Sequence, residues 1–172
     1  MTTITRPSAE KRINVDPTSS QYNPAIATGT DGSQFVVWQN QAEPDADTDV
    51  FTYRARRYDP DGNSIGEFQI GAARTFVNYI PHAIRPSITA LPDNSFVVVS
   101  VFDGNAETPD GLNGTQSWVY AQRFFADGSV GPQLQVAYHS PRAGFVSIVQ
   151  STAVTDLPNG GYFVTWGVFG TM

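Results

Sequence analysis

The stretch DGSQFVVW at residues 31–38 decides the fold, because the chain repeats it twice. The stretch DNSFVVVS at residues 93–100 lies 62 positions later, and NGGYFVTW at residues 159–166 lies a further 66 positions on. Each copy opens with residues that suit a tight turn and continues with β-branched and aromatic residues. The three copies therefore predict three strands that each leave a tight turn.

Further segments recur around each copy at the same spacing. A short alternating segment precedes each turn, with a proline at the predicted first strand position in two of the three cases, and it predicts a hairpin with the strand that follows. The predicted first strands are residues 24–27, 86–89 and 152–155; the third are 50–58 and 116–124; the fourth end at residues 70 and 136. One repeat is therefore predicted to be four strands in up-down order.

A four-stranded unit that recurs about every 60 residues predicts an all-β fold of the β-propeller type. We predict a single domain, residues 1–172, with units at about 13–70, 71–136 and 137–172. The last unit has only its first two strands, so one sheet edge is expected to be exposed. Three interpretations stay open: a piece of a longer array, a homo-oligomer that closes a ring through the exposed edge, and the edge of a sandwich.

Residues 13–15 match the end of a predicted fourth strand. Their pattern of apolar, amide and apolar side chains is that of residues 68–70 and 134–136. They could supply a final strand to the incomplete unit or to a neighbouring molecule, whereas no segment is a candidate for the missing third strand.

The composition excludes several classes of function. A formal charge of −6 and a pI near 4.6 argue against nucleic acid or an anionic membrane as a partner. The absence of cysteine excludes disulfides, thiol catalysis and zinc–thiolate sites. We predict no membrane span, since no apolar run is long enough to cross a bilayer, and the first residues lack the apolar core of a secretory signal.

The repeats resemble those found in tandem in very large secreted bacterial proteins of the RTX-like, haemolysin-type calcium-binding class. The resemblance covers residues 13 to about 168 and rests on residues 24–27, 31–38, 59–62, 66–70 and 120–124. It implies propeller-like blades within extracellular or cell-surface adhesins or secreted enzymes. The glycine-rich nonapeptides of an RTX calcium roll are absent, so we expect no such roll.

Alternating carboxylates in the segment after the first repeated strand are the candidate metal site. Asp45, Asp47 and Asp49 could converge on a calcium ion, which takes six to eight oxygen ligands. The motif lacks the glycine and distal glutamate of an EF-hand, and the second unit does not repeat it. A solvated acidic loop is the competing interpretation.

The candidate ligand-binding residues lie in and after the glycine-rich segment 103–117. Trp118 has no aromatic counterpart in the first unit, which makes it a candidate surface ring, whereas Trp38 and Trp166 end equivalent strands and are predicted to lie in the core. With Tyr120, Asn113 and Asp110 it would offer the rings, amides and carboxylates with which proteins commonly bind sugars.

No catalytic residue is predicted. His82 and His139 occupy non-equivalent positions, and no serine motif accompanies them. The sequence thus favours a non-enzymatic extracellular binding module for carbohydrate or another surface. The alternatives are part of a secreted hydrolase or lyase with catalytic residues in segments 40–49 and 103–117, and a structural spacer in a large adhesin.

Overall fold

The computed structural model describes residues 12–15, 18–45, 48–77, 84–107, 113–139 and 146–171, and these ranges contain ten β-strands and no helix. The predicted all-β class is therefore confirmed. The strands are β1 (Ser20–Thr28), β2 (Gln34–Asp45), β3 (Thr48–Tyr58), β4 (Ser64–Val77), β5 (Ser87–Ala90), β6 (Phe96–Glu107), β7 (Asn113–Phe124), β8 (Leu134–His139), β9 (Val146–Asp156) and β10 (Tyr162–Thr171).

The strands form three antiparallel sheets that follow the order of the chain. Sheet 1 has the strand order β1-β2-β3-β4 and sheet 2 the order β5-β6-β7-β8, whereas sheet 3 contains β9 and β10. All neighbouring strands pair antiparallel, so the predicted up-down order of each unit is confirmed. A closed propeller stays a prediction.

The three repeated turns share one geometry. In the first, the Gly29 amide donates to the Ser33 carbonyl at 2.7 Å, and Asp31 Oδ1 accepts from the Ser33 amide at 2.9 Å. The turns before β6 and β10 repeat both bonds. In the turn before β10 the side-chain acceptor is an asparagine oxygen and not a carboxylate. A positive φ recurs near the end of each turn, at Gly32, Asn94 and Gly160. The turn chemistry thus sets the same strand register in every unit.

The sheets stack face to face, and the two interfaces between them have the same direction. We call the face that carries Phe35, Val97 or Phe163 the downstream face, and the opposite face, with Val36, Val98 or Val164, the upstream face. The downstream face of sheet 1 packs on the upstream face of sheet 2, in a buried cluster of Phe35, Val37, Tyr53, Ala55, Ile70, Phe96, Val98, Phe102 and Phe124.

The second interface repeats this arrangement one sheet later. Val97, Val99 and Val101 of sheet 2 are buried with Val149 of sheet 3, and Val164 packs against them. Sheet 2 is therefore covered on both faces, and residues 96–102 of β6 form a continuous run of buried residues.

Polar side chains also cross the interfaces between sheets. The buried Tyr53 hydroxyl of sheet 1 lies 2.8 Å from the carbonyl oxygen of Val101 and 3.1 Å from that of Ile84. The Ser117 hydroxyl of sheet 2 donates to Asp103 at 2.5 Å and accepts from the amide of Val149 in sheet 3 at 3.1 Å. These bonds fix the lateral position of one sheet on the next.

Two predictions about element boundaries are wrong. The first strand begins at Ser20, four residues before Pro24, and the proline lies in a register shift next to Asn23, whose φ is +55°. A bulge tolerates proline because that residue does not donate to the ladder. The polar segment 39–49 and its glycine-rich counterpart 103–117, which the sequence predicts to be loops, consist of strand wherever they are described. β2 continues to Asp45 and β6 to Glu107, because antiparallel pairing continues through polar residues.

Candidate functional site

An aromatic pair at the outer end of sheet 2 is the strongest candidate for a ligand surface. Trp118 on β7 lies directly opposite Tyr138 on the edge strand β8, and their ring centroids are 5.7 Å apart at an interplanar angle of 32°. Tyr138 is 47% exposed, and its hydroxyl donates to Gln116 Oε1 at 2.7 Å. We call Gln116, Trp118 and Tyr138 the aromatic surface.

The aromatic surface is anchored in the core on its inner side. Trp118 and Tyr120 are half-buried and pack against the cluster between sheets 1 and 2. Tyr120 contacts Phe102 edge-on at 6.1 Å, and Phe102 contacts Tyr53 at 5.2 Å. Trp118 is thus a partly buried ring that supports a more exposed one, so a ligand would meet Tyr138 first.

The other predicted ligand residues fall partly outside the described residues. Asn113 is the first residue of β7, opposite Glu107, but its side chain is not described, and Asp110 lies outside the described residues. The structure therefore brings Trp118 and Tyr120 to one face of β7. Tyr138 and Gln116 were not predicted. Counting residue pairs from β7 to β8 places Tyr138 opposite Trp118 only when the register shift between the pairs of Val119 and Tyr120 is known.

The predicted calcium ligands lie around the hairpin that joins β2 to β3. Asp45 ends β2 and pairs with Thr48, Asp49 is the second residue of β3, and Asp47 lies outside the described residues. The side chains of all three aspartates lie outside the described part of the structure, so the calcium site stays a prediction. Within the described part of the chain, no group of three acidic, histidine or cysteine side chains is placed to hold a metal ion.

The two predicted core tryptophans have different environments. Trp38 is buried, at 5% exposure, and lies on the upstream face of sheet 1. Trp166 on sheet 3 is 37% exposed and donates through its indole nitrogen to His139 Nε2 at 2.9 Å. Sheet 3 has two strands and sheet 1 has four, so Trp166 has fewer neighbouring strands around it than Trp38 and is more exposed.

Turn carboxylates have the clearest perturbed acidities. Hydrogen bonds from the Ser33 hydroxyl and amide lower the pKa of Asp31, and a bond from the Ser129 hydroxyl has the same effect on the pKa of Asp127. The Asn63 side chain lowers the pKa of Asp59. Each carboxylate accepts bonds within its own turn, so the shifts indicate turn stabilisation and not an acid–base site.

Comparisons with known proteins show no family for this chain. No protein-family model matches the chain, and no curated protein sequence matches it. A solved structure, TcdA4 of Morganella morganii determined by cryo-electron microscopy, aligns with 89% of this chain at 12% identity and a TM-score of 0.45. The alignment spans 7% of that protein's chain. The described residues contain no helix that could cross a lipid bilayer.

Proposed function

We propose that the chain is a non-catalytic extracellular module that binds carbohydrate through the aromatic surface. The observation that carries the proposal is the Trp118–Tyr138 pair, in which a 47% exposed ring is held by a half-buried neighbour and by a bond to Gln116. A flat ring covers the apolar face of a sugar, and nearby amide and hydroxyl groups bond to sugar hydroxyls. A pre-positioned ring loses little conformational freedom on binding.

We further infer that the three sheets belong to a propeller-type arrangement. The support is the constant direction of stacking, in which the downstream face of one sheet always meets the upstream face of the next. Such a stack places the fourth strands at the rim, so β8 presents Tyr138 at an accessible edge. The resemblance to repeats of secreted bacterial proteins is consistent with a location outside the cell.

A glycan array with the labelled full chain tests the binding proposal. We expect Tyr138→Ala to lower the signal for the bound glycans at least tenfold, since loss of one stacking ring costs about 1.4 kcal/mol or more. Phe169→Ala is the matched control, because Phe169 is 46% exposed but lies on sheet 3. An array with no bound glycan, or equal signals for Tyr138→Ala and the unchanged chain, would contradict the proposal.

The same glycans distinguish binding from turnover. Incubation with the chain followed by product analysis tests the alternative of a secreted hydrolase or lyase. We expect every bound glycan to be recovered intact. Cleavage that disappears when the carboxylates of residues 40–49 are changed to amides would replace the binding proposal with the enzymatic one.

A further inference from the structure

The upstream face of sheet 1 is only partly covered, and the covering segment is informative. Ile13 packs against the buried cluster of Val36, Trp38 and Tyr58 on that face. By the repeat pattern Ile13 corresponds to Phe68 of the fourth strand β4, and Phe68 contacts Phe124, the counterpart of Tyr58, at 6.3 Å. Residues 12–15 therefore occupy the position that the fourth strand of a preceding sheet would have.

The remainder of this face is where the first two strands of a preceding sheet would lie. Ile26, at 58% exposure, Thr28 and Gln34 are exposed there. Their counterparts one unit later are residues 88, 90 and 96, which β1 and β2 of sheet 1 cover. The exposed part of sheet 1 thus corresponds to a surface that is an interface within the chain.

Sheet 3 consists of the first two strands of a unit, β9 and β10, and its downstream face is exposed. Phe163 is 62% exposed, and Thr165, Ala153 and Thr155 beside it are exposed too. The counterpart of Phe163 in sheet 1 is Phe35, whose ring stacks on Phe96 with the centroids 5.3 Å apart. One end of the stack therefore has the strands that the other end lacks.

We propose that a second copy of this chain completes the stack: the downstream face of sheet 3 in one copy packs on the exposed part of the upstream face of sheet 1 in the next. Phe163 of one copy then meets Gln34 of the other, as Phe35 meets Phe96. The contact joins faces and not the backbone edges of strands. It is also heterologous, so each added copy leaves one face of each kind, and growth ends in a ring or continues as a filament.

The interface is weaker than the two within the chain. Gln34 and Thr28 occupy the positions of Phe96 and Ala90, so less apolar area is buried. The residues that meet carry no charge, but each copy has a net charge of −6, and repulsion between copies falls as salt screens it. We therefore expect reversible association that rises with protein concentration and with ionic strength.

Sedimentation of the full chain over a hundredfold concentration range at two salt concentrations is the first test. The mass should rise with concentration, and Phe163→Asp should hold the chain at the monomer mass at every concentration. Val130→Asp is the matched control, since Val130 is 47% exposed in the connection between β7 and β8 and should associate like the unchanged chain. Monomer mass throughout for the unchanged chain overturns the proposal.

Cysteine pairing tests the geometry even if Phe163→Asp perturbs folding. The chain has no cysteine, so Gln34→Cys and Phe163→Cys each introduce a single thiol. Mixing the two variants under mild oxidation should give the mixed disulfide dimer in at least tenfold excess over either self-paired dimer. Equal yields of all three dimers, or predominant pairing of Phe163→Cys with itself, overturn the head-to-tail arrangement.

Discussion

At the scale of single residues, Tyr53 illustrates how a polar atom can join two sheets inside the core. The side chain is 1% exposed, and burial raises the pKa of its hydroxyl above the usual range. The hydroxyl donates to the carbonyl of Val101 in sheet 2 at 2.8 Å. Tyr53→Phe removes the bond without leaving a large cavity, so we expect a loss of about 1 kcal/mol in the free energy of unfolding, measured by urea denaturation.

Tyr162→Phe is the matched control for this prediction. The Tyr162 ring is half-buried against the interface between sheets 2 and 3, so the same atom is removed in a similar setting. We expect it to change the free energy of unfolding by less than about 0.5 kcal/mol. Equal losses in the two variants would mean that the bond from Tyr53 contributes nothing specific.

At the scale of elements, the repeated turns make stability depend on pH. Hydrogen bonds from Ser95 and the nearby Arg123 guanidinium lower the pKa of Asp93. Hydrogen bonds donated by serine or asparagine lower the pKa of the other turn carboxylates, Asp31, Asp59 and Asp127. The folded state then binds fewer protons than the unfolded state, so stability is present above the ordinary carboxyl pKa and is lost as pH falls below about 4. Urea midpoints measured from pH 2.5 to 7 should show this fall.

Replacing a turn aspartate by asparagine separates charge from turn geometry. The third repeated turn already uses Asn159, whose side-chain oxygen accepts from the Gly161 amide at 3.1 Å. Asp31→Asn should therefore keep the turn and reduce the slope of stability against pH below about 4. An unchanged slope would show that Asp31 does not contribute to the acid sensitivity.

At the scale of the whole molecule, the stack predicts a gradient of local stability. Sheet 2 is covered on both faces, whereas sheet 3 has two strands and one covered face. Each sheet contacts only its neighbours, so protection should follow the number of covered faces. Hydrogen exchange at low protein concentration should be slowest in β6 and β7 and fastest in β10. Uniform exchange rates along the chain would contradict this prediction.

Repetition allowed much of this architecture to be predicted from sequence. Residues that set the turns, such as Asp31 and Gly32, recur in register, and that recurrence fixed strand order and the number of strands per unit. The packing of one sheet face on another depends on side chains that are far apart in the chain. The contact of Tyr53 with sheet 2 could therefore not be predicted from the sequence of a single unit. The candidate site was found in part: Trp118 was identified, but its partner Tyr138 depends on a bulge that no local motif marks.

The constant direction of stacking also bears on how such a chain can change during evolution. Gene duplication or deletion that adds or removes one complete unit joins a downstream face to an upstream face again, so the resulting interface is of the kind already present. Loss of a single strand would instead interrupt the antiparallel order and expose an unpaired edge. Recombination between tandem copies is thus expected to be tolerated in steps of one unit, so that the number of units can change while each sheet keeps its structure.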